Sequence, residues 1–162
     1  MFGPVRPALP RAMTPPRLIA SGFGSGFSPV APGTVGSVVA VVVGAGLMGV
    51  SAWALPVAAV AAVLGGWWAI SACAGADDPG WIVVDEFAGQ WIAMLALSRP
   101  ALPGLLLAFA LFRLLDITKP GPVGWADRRH EALGVMGDDV IAGAIAAAVI
   151  GGIRAFFPEI SL

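Results

Sequence analysis

Five carboxylates stand in three short blocks: Asp85-Glu86 ahead of Phe-Ala-Gly-Gln-Trp, Asp116 closing Phe112-Arg-Leu-Leu-Asp, and Asp138-Asp139 ahead of Val-Ile-Ala-Gly. Each block adjoins an apolar run, and a carboxylate beside apolar surface needs a cation or hydrogen-bond donors. Hard oxygen donors in this number suit Mg²⁺, which is held by a few carboxylates together with water and substrate phosphate. That division of ligands fits phosphoryl chemistry, where positioning and charge stabilisation do most of the work. Plainer readings stay open. Acids favour the first turn of a helix, which would account for one of Asp85 and Glu86. Arg113 and Asp116, spaced i, i+3, could simply pair. One of Asp138 and Asp139 could be the N-cap of the last helix.

A glycine-rich segment, Gly22 to Ser37, runs into an apolar helix. Free backbone N–H groups and the positive helix end attract an anion there, so Thr34, Gly36 and Ser37 are candidate phosphate contacts. The alternative is capping by Thr34 or Ser37. No Gly-Lys-Ser/Thr follows, so this is not a Walker loop. Lys119, before Pro120, could face a phosphate or lie solvated at a membrane surface. His130 is the single histidine and Cys73 the single cysteine. A histidine relay, a zinc site or a disulfide within the chain therefore has too few residues to build on. Cys73, in an apolar run, reads as core.

The elements that must position these residues are apolar. Hydrophobic residues make up 58% of 162 and charged residues 12%, with a mean hydropathy of +0.88, outside the range of soluble domains. Twenty-two glycines suit closely packed membrane helices. A net charge of −1 gives no basic stripe, which argues against nucleic-acid binding. The expected fold is all-α, an integral membrane bundle of four to five short helices in one domain over residues 18–162, after a flexible arm over residues 1–17.

Four stretches read as membrane-buried: Val35 to Val50, Trp53 to Ala74, Trp91 to Leu115 and Val140 to Phe157. As a single span the third would bury Arg99 beside Pro100 and Pro103 at a cost of about 2.5 to 3.5 kcal/mol for the charge. It reads better as a helical hairpin turning at Ser98 to Pro103, with a second hairpin turning near Ser51 to Pro56. Two hairpins put Gly22–Ser37, Asp77, Asp78, Asp85, Asp116, Asp127 and Asp138 on one membrane face. Arg113, Lys119, Arg128 and Arg129 share it, which makes it cytoplasmic by the positive-inside tendency. A transporter or ion pathway is the rival class, since intramembrane carboxylates also mark cation routes.

Four blocks in this order, Gly22-Phe-Gly-Ser-Gly-Phe-Ser-Pro with Pro32-Gly-Thr-Val-Gly-Ser37, Val84-Asp-Glu-Phe-Ala-Gly-Gln-Trp-Ile92, Phe112-Arg-Leu-Leu-Asp with Lys119-Pro120, and Asp138-Asp-Val-Ile-Ala-Gly143, resemble the phosphatidylglycerophosphatase A family. The resemblance covers residues 18 to about 150. It implies a membrane enzyme of the bacterial inner membrane, working at the cytoplasmic face, that uses Mg²⁺ to hydrolyse phosphatidylglycerophosphate to phosphatidylglycerol and phosphate in phospholipid biosynthesis. Carried over, it assigns Asp85, Glu86, Asp116, Asp138 and Asp139 to one or two metal ions and Arg113 and Lys119 to phosphate. Asp85, Glu86, Asp116 and Asp139 are the catalytic candidates. The implied partners are a phospholipid and the membrane, with oligomeric state open. The chain departs from the family pattern at Glu131-Ala-Leu-Gly134 and at Gly137.

Overall fold

The structure, a computed structural model, describes residues 12–73, 80–129, 131–160 and 162. Most of the expected arm, Asp77, Asp78 and His130 lie outside the described residues. Within them are seven α-helices, one 3₁₀ turn (Ser25–Phe27) and no strand: α1 (Pro15–Ala20), α2 (Pro32–Val50), α3 (Ala54–Cys73), α4 (Val84–Met94), α5 (Leu102–Thr118), α6 (Pro122–Asp127) and α7 (Ala132–Phe156).

The count exceeds the expected four to five by short pieces. α1 and α6 have six residues each, and both begin with a proline at the first helical positions. Proline fits there because the first N–H groups of a helix have no intrahelical acceptor. The same rule moves two expected turns. Pro103 lies inside the first turn of α5 and Pro56 inside that of α3, so the breaks between helices fall at residues 95–101 and 51–53. The third apolar stretch is thus broken between Met94 and Leu102 and is not one span.

α2, α3 and α7, with 19, 20 and 25 residues, are long and apolar enough to cross a membrane. They are apolar around most of their circumference, and Val42, Val57, Val60 and Leu64 point outward. Cys73, read from sequence as core, is only half-buried at the end of α3. α4 differs. At 11 residues it rises only about 16 Å. Eight of those residues are buried, because α2, α3, α5 and α7 all pack against it. It contributes to each of three core clusters, through Ala93 and Met94, Val84 and Ala88, and Phe87.

α4 and α7 cross in close backbone contact. A Cβ on Gly143 would fall 2.9 Å from the Gly89 Cα, and one on Gly89 would strike the Asp139 carbonyl and the Phe112 ring. Two glycines at the crossing bring the backbones together, which sets the distance between the acids of α4 and those of α7. At the opposite end, Arg154 of α7 donates to the Ala96 carbonyl just past α4 at 2.6 Å. A cation there satisfies a carbonyl left free at a helix end.

Candidate active site

Three helices deliver the five acids. Asp85 and Glu86 occupy the first turn of α4, and Asp116 the last turn of α5. Asp138 and Asp139 lie well inside α7, whose N-cap is Glu131. The expectation that one of them caps the last helix is therefore wrong. α7 starts eight residues earlier than the apolar stretch from Val140, because its first turns pack on α6 and carry polar neighbours. Both side chains point inward, Asp138 5% and Asp139 3% exposed.

The acids form two groups that share a member. Oxygens of Asp85, Glu86 and Asp139 lie within 4.8 Å of one another, and so do oxygens of Asp116, Asp138 and Asp139. They line a cavity of about 260 Å³ together with Lys119, Asp127 and Arg129. Six carboxylates against two cations leave the wall strongly negative. Oδ1 of Asp138 and Oδ1 of Asp139 are buried with no donor among the described residues. A buried carboxylate oxygen without a donor is costly, and a divalent cation would satisfy several at once. The donor set, all carboxylate oxygen, fits Mg²⁺.

Arg113 ties the two groups from the side. Its Nη1 donates to Oδ2 of Asp116 at 2.5 Å and lies 3.9 Å from Oε1 of Glu86. It reaches the start of α2 as well, with Nη1 3.5 Å from Ser37 Oγ and Nη2 3.5 Å from Thr34 Oγ1. The i, i+3 pair foreseen from sequence is present, but Arg113 also serves Glu86 and α2 and does not line the cavity.

Lys119 is the C-cap of α5 in the left-handed region (φ 47°), a position that turns its side chain toward α6 and α7. Its Nζ donates to Asp138 at 2.7 Å and to Asp127. Burial disfavours its charge, but these two carboxylates outweigh burial and hold its pKa above the usual lysine value. Two carboxylates therefore hold the ammonium at the cavity wall, with the side chain 34% exposed.

The glycine-rich segment divides. α2 begins after Ala31 without a side-chain cap, so neither Thr34 nor Ser37 caps it. The Ser37 hydroxyl donates back to the Gly33 carbonyl at 2.9 Å, the usual outlet for a serine inside a helix. Gly36 packs against Val83, where a Cβ would come within 2.9 Å. Gly33 touches the site: a Cβ on it would collide with the Glu86 carboxylate.

Three contributors escaped sequence reasoning. Gly33 was read for its backbone and not for the space it leaves. Asp127 and Arg129 were placed on the membrane face of the acids and given no role at the site. Both are set by α6, which Gly121 (φ 49°) folds back after Pro120, and Arg129 stacks on Trp125 at 4.1 Å. The Pro-Gly-Pro run of residues 120–122 was the available cue.

The family model of phosphatidylglycerophosphatase A matches residues 18–154. The chain is 39% identical over 143 residues to phosphatidylglycerophosphatase A of Escherichia coli, covering 84% of this chain and 81% of that protein. It is 39% identical over 144 residues to the protein of the same name from Haemophilus influenzae, covering 85% and 88%. A Bacteroides thetaiotaomicron protein named putative phosphatidylinositol-3-phosphatase is 40% identical over 138 residues, covering 79% and 86%. No solved structure matches. The four sequence blocks meet in one acidic cavity, and the likeness runs through nearly all of the chain that builds it: the protein belongs to the phosphatidylglycerophosphatase A family.

Proposed function

We propose that the chain is a Mg²⁺-dependent lipid phosphatase that hydrolyses the terminal phosphomonoester of phosphatidylglycerophosphate, giving phosphatidylglycerol and phosphate for phospholipid biosynthesis. The observation that carries the reading is the pair of carboxylate groups joined at Asp139, with buried oxygens that no donor among the described residues satisfies. Asp85, Glu86 and Asp139 would hold one ion and Asp116, Asp138 and Asp139 a second. Bound there, Mg²⁺ supplies Lewis acidity toward the phosphoryl oxygens and offsets the negative wall.

The chain's own residues do the rest. Arg113 orients Asp116 and Glu86 and ties them to α2, where Thr34 and Ser37 meet its guanidinium. Lys119 and Arg129 set positive charge on the cavity wall for the substrate phosphate. Asp139, the shared acid, orients the attacking water. The water oxygen bonds to phosphorus, the ester P–O bond breaks, and a proton passes to the departing glycerol oxygen. The transporter reading is weaker, because the acids gather at one end of the bundle and do not run along it.

The turns at residues 51–53 and 95–101 border one hollow at the end away from the acids, which supports two hairpins and a site on one face of the membrane. With Arg113, Lys119, Arg128 and Arg129 at the acidic end, that face is the cytoplasmic side of a bacterial plasma membrane. The deciding experiment measures phosphate release by protein purified in detergent, with Mg²⁺ or EDTA, from phosphatidylglycerophosphate, a phosphatidylinositol monophosphate and phosphatidic acid. Metal-dependent release greatest from phosphatidylglycerophosphate is expected. Preference for the inositol lipid would move the headgroup assignment to that of the Bacteroides relative, and release from none would end the phosphatase reading.

A further inference from the structure

A second hollow, of about 290 Å³, lies between α3, α4 and the loop after α1. Its lining carries no charged side chain. Two of its residues, Val84 and Phe87, bracket Asp85 and Glu86 on the same helical turn, so hollow and acidic cavity are separated along α4 by about 5 Å at most. It opens beside Val57, Val60 and Leu64, which are 59% to 64% exposed on α3, a helix fit to cross a membrane. Trp91 makes a fixed wall: its indole N–H donates to the Ala40 carbonyl at 2.8 Å and its ring stands edge-on to Phe87 at 5.5 Å.

The rim carries strain. Phe23 is left-handed (φ 57°) between Gly22 (φ 54°) and Gly24 (φ 98°), a conformation disfavoured for a bulky residue, and it leaves the residue 75% exposed. Backbone hydrogen bonds hold the turn, with the Phe23 N–H donating to the Leu18 carbonyl at 2.9 Å, and strain held in place this way gathers at ligand clamps. The floor is open at Gly65, where a Cβ would meet nothing within 4 Å.

We propose that this groove holds an acyl chain of the phospholipid whose phosphate enters the acidic cavity, with Phe23 closing over it from the membrane surface. The inference rests on the lipid phosphatase reading and deepens it. The groove is continuous with the apolar α3 face, and its neighbour is a site for the polar end of an amphiphile. The groove then selects for chain length and fixes the depth at which the substrate sits.

The test compares dihexanoyl and dipalmitoyl phosphatidylglycerophosphate with wild type and Gly65→Leu, which fills the floor from a Cβ that meets nothing within 4 Å. Wild type should favour the long chain in kcat/KM, and Gly65→Leu should lose about tenfold on the long chain but under about twofold on the short one. Equal losses on both, or none, would overturn the groove. Independently of how that variant folds, a phosphatidylglycerophosphate with a photoactivatable diazirine near its acyl end should label peptides covering residues 58–65 or 84–91 in EDTA. Excess unlabelled phosphatidylglycerophosphate should suppress the label and phosphatidylcholine should not. Label elsewhere, or equal suppression by both lipids, marks general lipid contact and overturns the proposal. Wild type that turns over substrate while failing these tests keeps its phosphatase reading, whereas wild type inactive on every lipid monoester loses both.

Discussion

Asp139 is where both acidic groups meet, and its Oδ1 has no donor among the described residues. Asp139→Asn should therefore lower metal-dependent phosphate release by at least about a hundredfold, the scale of losing a group that stabilises the transition state. It has a second readout. An ion that binds only the folded state raises the melting temperature by mass action, so Mg²⁺ should stabilise wild type in detergent and stabilise Asp139→Asn much less. An equal shift in both would remove Asp139 from the metal set. Gly33→Ala is subtler: the added methyl must displace the Glu86 carboxylate while α2 itself gains from alanine. Melting should change by little and kcat should fall about tenfold, a split that a folding defect would not give. All five acids were legible in the sequence because each interrupts an apolar run. Asp127 and Arg129 were not, since the Pro-Gly-Pro run at 120–122 signals a turn at Gly121 but not that it returns α6 to the cavity.

At the scale of elements, α4 decides the architecture. Its sequence, Val-Asp-Glu-Phe-Ala-Gly-Gln-Trp-Ile-Ala-Met, is apolar enough to be buried and too short to span, and the other helices enclose it. The apolar stretches announced α2, α3 and the bulk of α7, but α1, α6 and the start of α7 were illegible because they are short or polar and are held by packing. The α4–α7 crossing gives a sharp prediction. Gly143→Val would drive methyl groups into the Gly89 backbone, separate the two sets of acids and destabilise the fold by about 1 to 3 kcal/mol, the range for overpacking a tight contact. Thermal unfolding in detergent measures it. Gln90 points the other way. It is wholly buried, and neither amide atom has a partner among the described residues. Methionine of similar shape would remove that unsatisfied pair, so Gln90→Met should leave stability unchanged or raise it by about 1 kcal/mol. A marked loss of stability would show that the amide is satisfied by a group the packing of the chain alone does not reveal.

The whole molecule is polar in one direction. At one end sit the six carboxylates of the cavity with Arg113, Lys119 and Arg129; at the other, Arg154 closes on Ala96, and Ser98 is bonded to the Leu162 carbonyl. The two hairpins proposed above would reconcile this asymmetry with α4, which cannot cross a hydrocarbon layer roughly 30 Å thick. The arrangement predicts sidedness residue by residue. With Cys73, the single native cysteine, replaced by serine, new cysteines at Ser51 and Arg99 should react with a membrane-impermeant maleimide in right-side-out vesicles. One at Thr118 should react only after permeabilisation. All three positions are exposed, so reactivity reports the side of the membrane and not burial. Labelling of Arg99→Cys and Thr118→Cys from the same side would mean that α5 does not return to the acidic end across the membrane. Asp116 would then reach Asp85 only within a bundle lying along the surface, and the apolar faces of α2 and α3 would need another partner.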